Sequence, residues 1–172
     1  VTGHSQSNDG DVSGNHGSAD YWVIRLDSSG GLVWQRSFGG SSNDYAASII
    51  QTNDGGYAVA GFSESIDGDV SGNHGQLDYW IVKLDSNGGL VWQKSYGGSA
   101  GDFAGTITHT LDGGYAVAGF SESNNGDVSI NQGQKDYWVI RLDVTGDLLW
   151  EKSFGGSSDD RGYSIIQINE GS

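Results

Sequence analysis

The chain repeats itself with a period of 58 residues, and no other feature restricts its fold as tightly. Asp20-Tyr21-Trp22 returns as Asp78-Tyr79-Trp80 and as Asp136-Tyr137-Trp138, while Trp34 returns as Trp92 and Trp150. Residues 20–77 and 78–135 are identical at 39 of 58 positions, and many differences are conservative, such as Arg25/Lys83, Phe38/Tyr96 and Tyr45/Phe103. A fixed period of this length marks one supersecondary unit that buries its apolar surface only by stacking on its neighbours. The 172 residues are therefore expected to form one repeat domain, with units 20–77, 78–135 and a third split between 136–172 and 1–19. Val1-Thr2-Gly3-His4-Ser5 matches Val59-Ala60-Gly61-Phe62-Ser63, so the first residue falls inside an expected strand. Either the two ends meet to complete one unit, or the chain is a window on a longer array. Val1 and the absence of Met point to numbering that starts inside a longer precursor.

Within a unit, β-branched and aromatic runs mark strands, and Gly and Asx clusters mark turns. In the second unit the expected strands are Tyr79–Asp85, Leu90–Tyr96, Phe103–Thr110 and Tyr115–Glu122. Their connections are 86–89, 97–102 and 111–114, each with Gly where a hairpin needs positive φ. A longer loop, 65–77 and its equivalents, leads to the next unit. The pattern predicts an all-β fold of four-stranded antiparallel blades of a β-propeller, since radially packed blades bury both sheet faces. The alternatives are a β-solenoid or a three-sheet prism. Tyr115-Ala116-Val117-Ala118-Gly119 places small residues at alternate positions, which suits a crowded inner strand. Propellers usually carry at least four blades, so three copies imply an assembly or further repeats.

Composition narrows function by exclusion. Asp and Glu number 22 against 8 Lys and Arg, a formal charge of −14. Such a surface repels phosphate backbones, so neither nucleic acid nor an anionic membrane surface is an expected partner. No apolar run approaches the ~20 residues of a membrane helix, so membrane insertion is not expected. With no Cys there is no disulfide, thiolate metal site or cysteine nucleophile. Thirty Gly would suit a disordered chain, but 6 Trp, 8 Tyr and 5 Phe require packing.

The long loop has the spacing of a calcium loop. Asp9, Asp11 and Ser13 take alternate positions, Gly14 falls at the sixth position, where a sharp turn is needed, and Asp20 falls at the twelfth. Asn15 adds a further oxygen between them. The second copy repeats the set with Asp67, Asp69, Ser71, Asn73 and Asp78. In the third, Asn125 and Ile130 replace the first Asp and the Gly, so binding there is expected to be poor. Asp, Asn, Ser and Gly also build Asx turns, so the same loop can fold on its own hydrogen bonds.

Two resemblances extend this reading. Leu84-Asp85-Ser86-Asn87-Gly88-Gly89-Leu90-Val91-Trp92, with its copies at 26–34 and 142–150, resembles the Asp-to-Gly-to-Trp hairpins of sialidase-type and quinoprotein propellers. In those families Asp orders the turn and Trp packs between blades, which implies structure and not catalysis. The whole repeat carries Gly-Gly-Tyr-Ala-Val-Ala-Gly-Phe-Ser at 55–63, Asp-Tyr-Trp at 78–80 and Phe-Gly-Gly-Ser at 38–41. It is similar to the propeller-type repeats of secreted surface proteins of Bacteroidota-like bacteria. That resemblance implies export to the cell surface or beyond and a role in adhesion, surface structure or extracellular assembly, with no catalytic residues to carry over.

No enzyme is expected. Among His4, His16, His74 and His109 only His16 and His74 are equivalent, and Gln132 takes their place in the third unit. The Asp159-Asp160 pair sits in a turn. Two binding roles remain. Tyr21, Tyr79 and Tyr137 beside Trp22, Trp80 and Trp138 offer rings for stacking on sugars in a multivalent glycan binder, or for packing between blades. Near-identical units have near-identical edges, so a head-to-tail homo-oligomer or polymer is expected, joined through blade edges and the half-strands near Val1 and Ser172.

Overall fold

The computed structural model describes residues 1–168, so Ser172 and its expected half-strand end lie outside the described residues. Among the described residues the chain is entirely β, with eleven strands and no helix. They are β1 (Thr2–Ser5), β2 (Asp20–Leu26), β3 (Leu32–Phe38), β4 (Asp44–Gln51), β5 (Tyr57–Ser63), β6 (Asp78–Leu84), β7 (Leu90–Tyr96), β8 (Asp102–His109), β9 (Tyr115–Ser121), β10 (Asp136–Leu142) and β11 (Leu148–Phe154). The four strands expected in the second unit all form, with ends shifted by a residue at most in three of them.

Their grouping differs from the sequence reading. The strands assemble into three antiparallel sheets of order β1-β2-β3, β4-β5-β6-β7 and β8-β9-β10-β11. Each complete sheet therefore joins the second half of one 58-residue unit to the first half of the next. The long loop 64–77 lies inside a sheet, connecting the neighbours β5 and β6, whereas the Gly-rich link 97–101 carries the chain from one sheet to another.

The reason lies in the two kinds of glycine turn. At Gly30, Gly88 and Gly146, and again at Gly55 and Gly113, φ is positive, which closes a true hairpin. The links after β3 and β7 contain no residue with positive φ. There glycine is required for space. A methyl on Gly97 would lie 2.5 Å from Asp102 Oδ2 and 2.7 Å from Asp78 Oδ1. The link passes beside the start of β6, where Leu77 forms a parallel bridge to Gly101 and its carbonyl accepts Asp102 N at 2.7 Å. Ala19 with Asn43, and Lys135 with Asp159, repeat this bridge.

The hairpin Asp has the ordering role that the propeller hairpins imply. Asp85 Oδ1 accepts the N–H groups of Asn87 at 2.7 Å and Gly89 at 2.9 Å, and Asp27 and Asp143 do the same in their turns. The hydroxyls of Ser29 on Asp27 and of Thr145 on Asp143, together with these N–H bonds, hold all three carboxyls below the usual carboxylate range.

Two apolar clusters lie between consecutive sheets. Tyr21, Val23 and Phe38 of the first sheet pack on Val59, Trp80, Val82 and Leu84 of the second. On its other face the second sheet sends Ala58, Ala60, Tyr79, Ile81 and Tyr96 against Ile107, Tyr115, Val117, Trp138, Ile140 and Leu142 of the third. The middle sheet is thus buried on both faces, and every residue of β6 is buried. The edge strands β4 and β8 contact one another, and β1 contacts β4. The small-residue strand β9 stands one place in from that edge, so its alanines serve sheet packing beside β8.

Candidate functional site

The acidic loops are held by their own hydrogen bonds. In the second loop Asp67 Oδ1 accepts Ser41 N at 2.7 Å, and Asp69 Oδ2 accepts Gly39 N at 3.3 Å. Ser71 Oγ accepts Gln93 Nε2, and the Asn73 amide nitrogen donates to the carbonyls of Ser63 and Ser65. Asp78 is fully buried and accepts both His74 N at 2.8 Å and His74 Nδ1 at 2.7 Å. The first loop follows suit. Asp20 accepts His16 N and Nδ1, Ser13 accepts Gln35 Nε2, and the Asn15 amide reaches the Ser5 carbonyl, while Asp9 and Asp11 are exposed. Asp67 and Asp69 thus hold the link at 39–41 and Asp78 holds its own loop, and among the described residues no three Asp, Glu or His side chains gather at metal-holding range.

What the fold does bring together is a pair of carboxylates at each sheet-to-sheet link. Asp20 and Asp44, Asp78 and Asp102, and Asp136 and Asp160 flank Gly39, Gly97 and Gly155 respectively. Asp44 Oδ2 accepts Gly40 N and Ser65 Oγ, and its other oxygen accepts Ser63 Oγ. The Oδ1 atoms of Asp20, Asp78 and Asp136 are buried without a hydrogen-bond partner among the described residues. Burial, opposed by hydrogen bonds from His74 and reinforced by the nearby Asp102 carboxylate, raises the Asp78 carboxyl to about 6. Burial likewise raises Asp44 and Asp102. The sequence carried this signal as an invariant spacing of 24 residues between the two Asp of each pair, which loop-by-loop reading does not detect.

The aromatic pairs also take definite roles. Tyr21 donates its hydroxyl to the Trp80 carbonyl at 2.8 Å, and Tyr79 donates to the Trp138 carbonyl at 2.9 Å, each 59 residues downstream and in the next sheet. In both pairs the ring centroids are 4.5 Å apart at 58°. Tyr21, Tyr79, Trp80 and Trp138 are fully buried, so these rings serve packing between sheets. Burial raises both tyrosine hydroxyls well above their ordinary value, consistent with neutral donors.

The half-buried Trp34 and Trp92 border clefts between consecutive hairpins. Trp92, Tyr115, His109, Lys83 and Asp54 line a cavity of about 390 Å³, and Trp34, Tyr57, Arg25 and Val1 line its equivalent of about 250 Å³. Lys83 Nζ is buried and lies 2.8 Å from Asp54 Oδ2, an ion pair that holds the Asp54 carboxyl far below its usual range.

The two outer sheets expose what the middle one hides. On the third sheet Tyr137 is 42% exposed, Trp150 47% and Phe154 58%, whereas the equivalent Tyr79 and Tyr96 are 0% and 6% exposed. On the first sheet Trp22 and Ile24 are half-buried and Leu26 is exposed, whereas Trp80, Val82 and Leu84 are fully buried. The tail that follows the third sheet begins as β4 and β8 do, with Asp160 N bonded to the Lys135 carbonyl, and Gly162 N donates to the Gly119 carbonyl of β9 at 3.1 Å, but 161–168 form no strand.

No known protein-family model matches the chain. It is similar to the regulatory protein FlaEY of Caulobacter vibrioides, with 27% identity over 150 residues. That match covers 79% of this chain and 15% of FlaEY, so the chain spans a small part of that protein's length.

Proposed function

We propose that the chain is a non-catalytic structural and adhesive repeat module of the cell exterior, whose sheets are the blades of a propeller-like array and whose copies assemble into a ring or filament. The observation that carries this reading is the identity of the contact made twice within the chain. One surface of a sheet fits the opposite surface of the next, and among the described residues the outer sheets expose Tyr137, Trp150 and Leu26. A heterologous contact of this kind propagates until it closes into a ring or continues as a fibre. The likeness of the repeat motifs to secreted surface proteins supports the location. The buried, hydrogen-bonded state of the paired carboxylates supports a structural role for them over acid–base chemistry.

Light scattering on the purified chain tests the reading, with calcium and then with chelator. A mass at a multiple of 18.1 kDa that grows with concentration is the expected result. A monomer at every concentration overturns it, and an assembly lost only on chelation would assign calcium to the loops.

A carbohydrate-binding adhesin is the second reading, favoured by the repeated clefts beside the half-buried Trp92 and Trp34. Ring faces beside polar groups suit sugar stacking, and two clefts per chain make weak sites multivalent. A glycan array probed with wild type and Trp92→Ala separates the readings, with hits lost in the variant supporting the adhesin and no hits removing it.

A further inference from the structure

In an asparagine followed by glycine, the backbone nitrogen of the glycine can attack the asparagine side chain, because no Cβ on the glycine shields it. The sequence holds two such pairs, Asn87-Gly88 and Asn125-Gly126, and the fold treats them differently. Both asparagines are exposed, but Gly88 is buried in its hairpin, and its N–H donates to the Asp85 carbonyl at 3.1 Å. Gly126 is exposed, and its N–H makes no hydrogen bond among the described residues. The Asn125 amide is oriented as well. Its Oδ1 accepts Ser99 N at 2.9 Å, and its Nδ2 donates to Ser99 Oγ at 3.1 Å. A donor aimed at Oδ1 polarises the Cγ carbonyl and stabilises the oxyanion that forms when a nucleophile adds there.

We propose that Asn125 is a self-modification site: Gly126 N attacks Asn125 Cγ, and hydrolysis of the resulting succinimide leaves aspartate at position 125. In the first step the N–Cγ bond forms, the Cγ–Nδ2 bond breaks, and ammonia leaves with the proton of Gly126 N. Water then adds at Cγ, the N–Cγ bond breaks, and Gly126 N regains a proton. One water is consumed and one ammonia released, with no change of oxidation state. Opening at the other ring carbonyl, the backbone carbon of residue 125, gives isoaspartate instead. The Ser99 N–H at Oδ1 directs water to Cγ and so favours ordinary aspartate. That product is the residue the other two loops already carry, at Asp9 and Asp67. Asp67 Oδ1 accepts Ser41 N at 2.7 Å, and the N–H and hydroxyl of Ser41 hold its carboxyl below the usual carboxylate range. A charged acceptor makes a shorter and stronger bond than an amide. The change therefore tightens the tie between the third loop and the link at 97–101, and it supplies the first Asp of the spacing that this loop lacks.

The test is to age the folded chain near neutral pH and to follow both asparagines by peptide mass spectrometry, with electron-transfer fragmentation to separate aspartate from isoaspartate. Asn125 should convert about five- to tenfold faster than Asn87, the rate equivalent of the one hydrogen bond that Gly88 N must break. Aspartate should be the main product at 125. In urea the two sites should react alike, because the selection belongs to the fold. Conversion of Asn87 as fast as Asn125 in the folded chain, or an inert Asn125 that reacts only in urea, overturns the site. Isoaspartate as the main product overturns the directing role of Ser99. Asn125→Gln should stay unmodified, since its longer side chain would have to close a larger ring, and a persisting mass gain in that peptide overturns the assignment. Asn125→Asp reads the consequence: it should melt above wild type at neutral pH, and equal or lower melting overturns the tightening of the link.

Discussion

At the scale of single residues, the buried carboxylate pairs govern how stability responds to pH. Asp78, facing His74 and Asp102, holds its proton more tightly folded than unfolded, because burial penalises its charged form. Its contribution is full below the ordinary carboxyl value and is lost as pH rises through about 6. Asp27, Asp85 and Asp143 act in the opposite sense, since the stability from their hydrogen bonds is lost as pH falls below the usual carboxylate range. Stability should therefore peak in mild acid. Urea unfolding from about pH 4 to pH 7 should show a falling midpoint in wild type and a flatter one in Asp78→Asn, whose amide oxygen still accepts His74 N; parallel curves would rule out Asp78 as the source. The tyrosines allow a cleaner comparison. Tyr79→Phe leaves the buried Trp138 carbonyl without its donor and should cost about 1–2 kcal/mol, whereas Tyr137→Phe should leave the monomer's melting unchanged.

At the scale of strands and turns, two glycines with different duties give different penalties. Gly113 has φ of +89° and open space around it, so Gly113→Ala should cost about 1–2 kcal/mol of backbone strain. Gly97 has no positive φ, yet any side chain there meets Asp102 and Asp78, so Gly97→Ala should cost about 3 kcal/mol and loosen the link between sheets. Denaturant midpoints of the two variants decide the matter, and equal losses would mean that crowding at Gly97 is relieved. The same contrast explains what sequence reading found and missed. Strand positions were legible because alternation and β-branched runs report local burial, as in Tyr79–Asp85 against the observed Asp78–Leu84. The partition into sheets was not, because Gly-Gly at 88–89 and at 97–98 looks alike in sequence. Only the packing of Asp78 and Asp102 around Gly97 distinguishes a hairpin from a crossing.

At the scale of the molecule, net charge and apolar end faces oppose one another. A charge of −14 makes copies repel, and salt screens that repulsion within about 10 Å at 0.1 M. Association through the end faces should therefore strengthen as sodium chloride rises, read as an increase in mass by sedimentation at fixed protein concentration. Weakening with salt would point to ion pairs as the glue. The acidic loops belong to this scale as well. Asp67 and Asp69 both tie the neighbouring link at Ser41 and Gly39, while Asp78 fastens its own loop at His74, so the loops work as clamps between consecutive sheets.

The sequence by itself determined the period, the strands and the hairpin turns, since each depends on residues within a few positions of one another. The tertiary structure alone decided which strands share a sheet, which aromatic rings are buried and which face is left open. Those outcomes turn on contacts about one repeat apart, such as Tyr21 with Trp80 and Tyr79 with Trp138. Near-identical side chains in successive units acquire different fates there because burial is set by whether a next sheet is present. Tyr79 and Tyr137 are the same residue in the same local sequence, and only the neighbour differs.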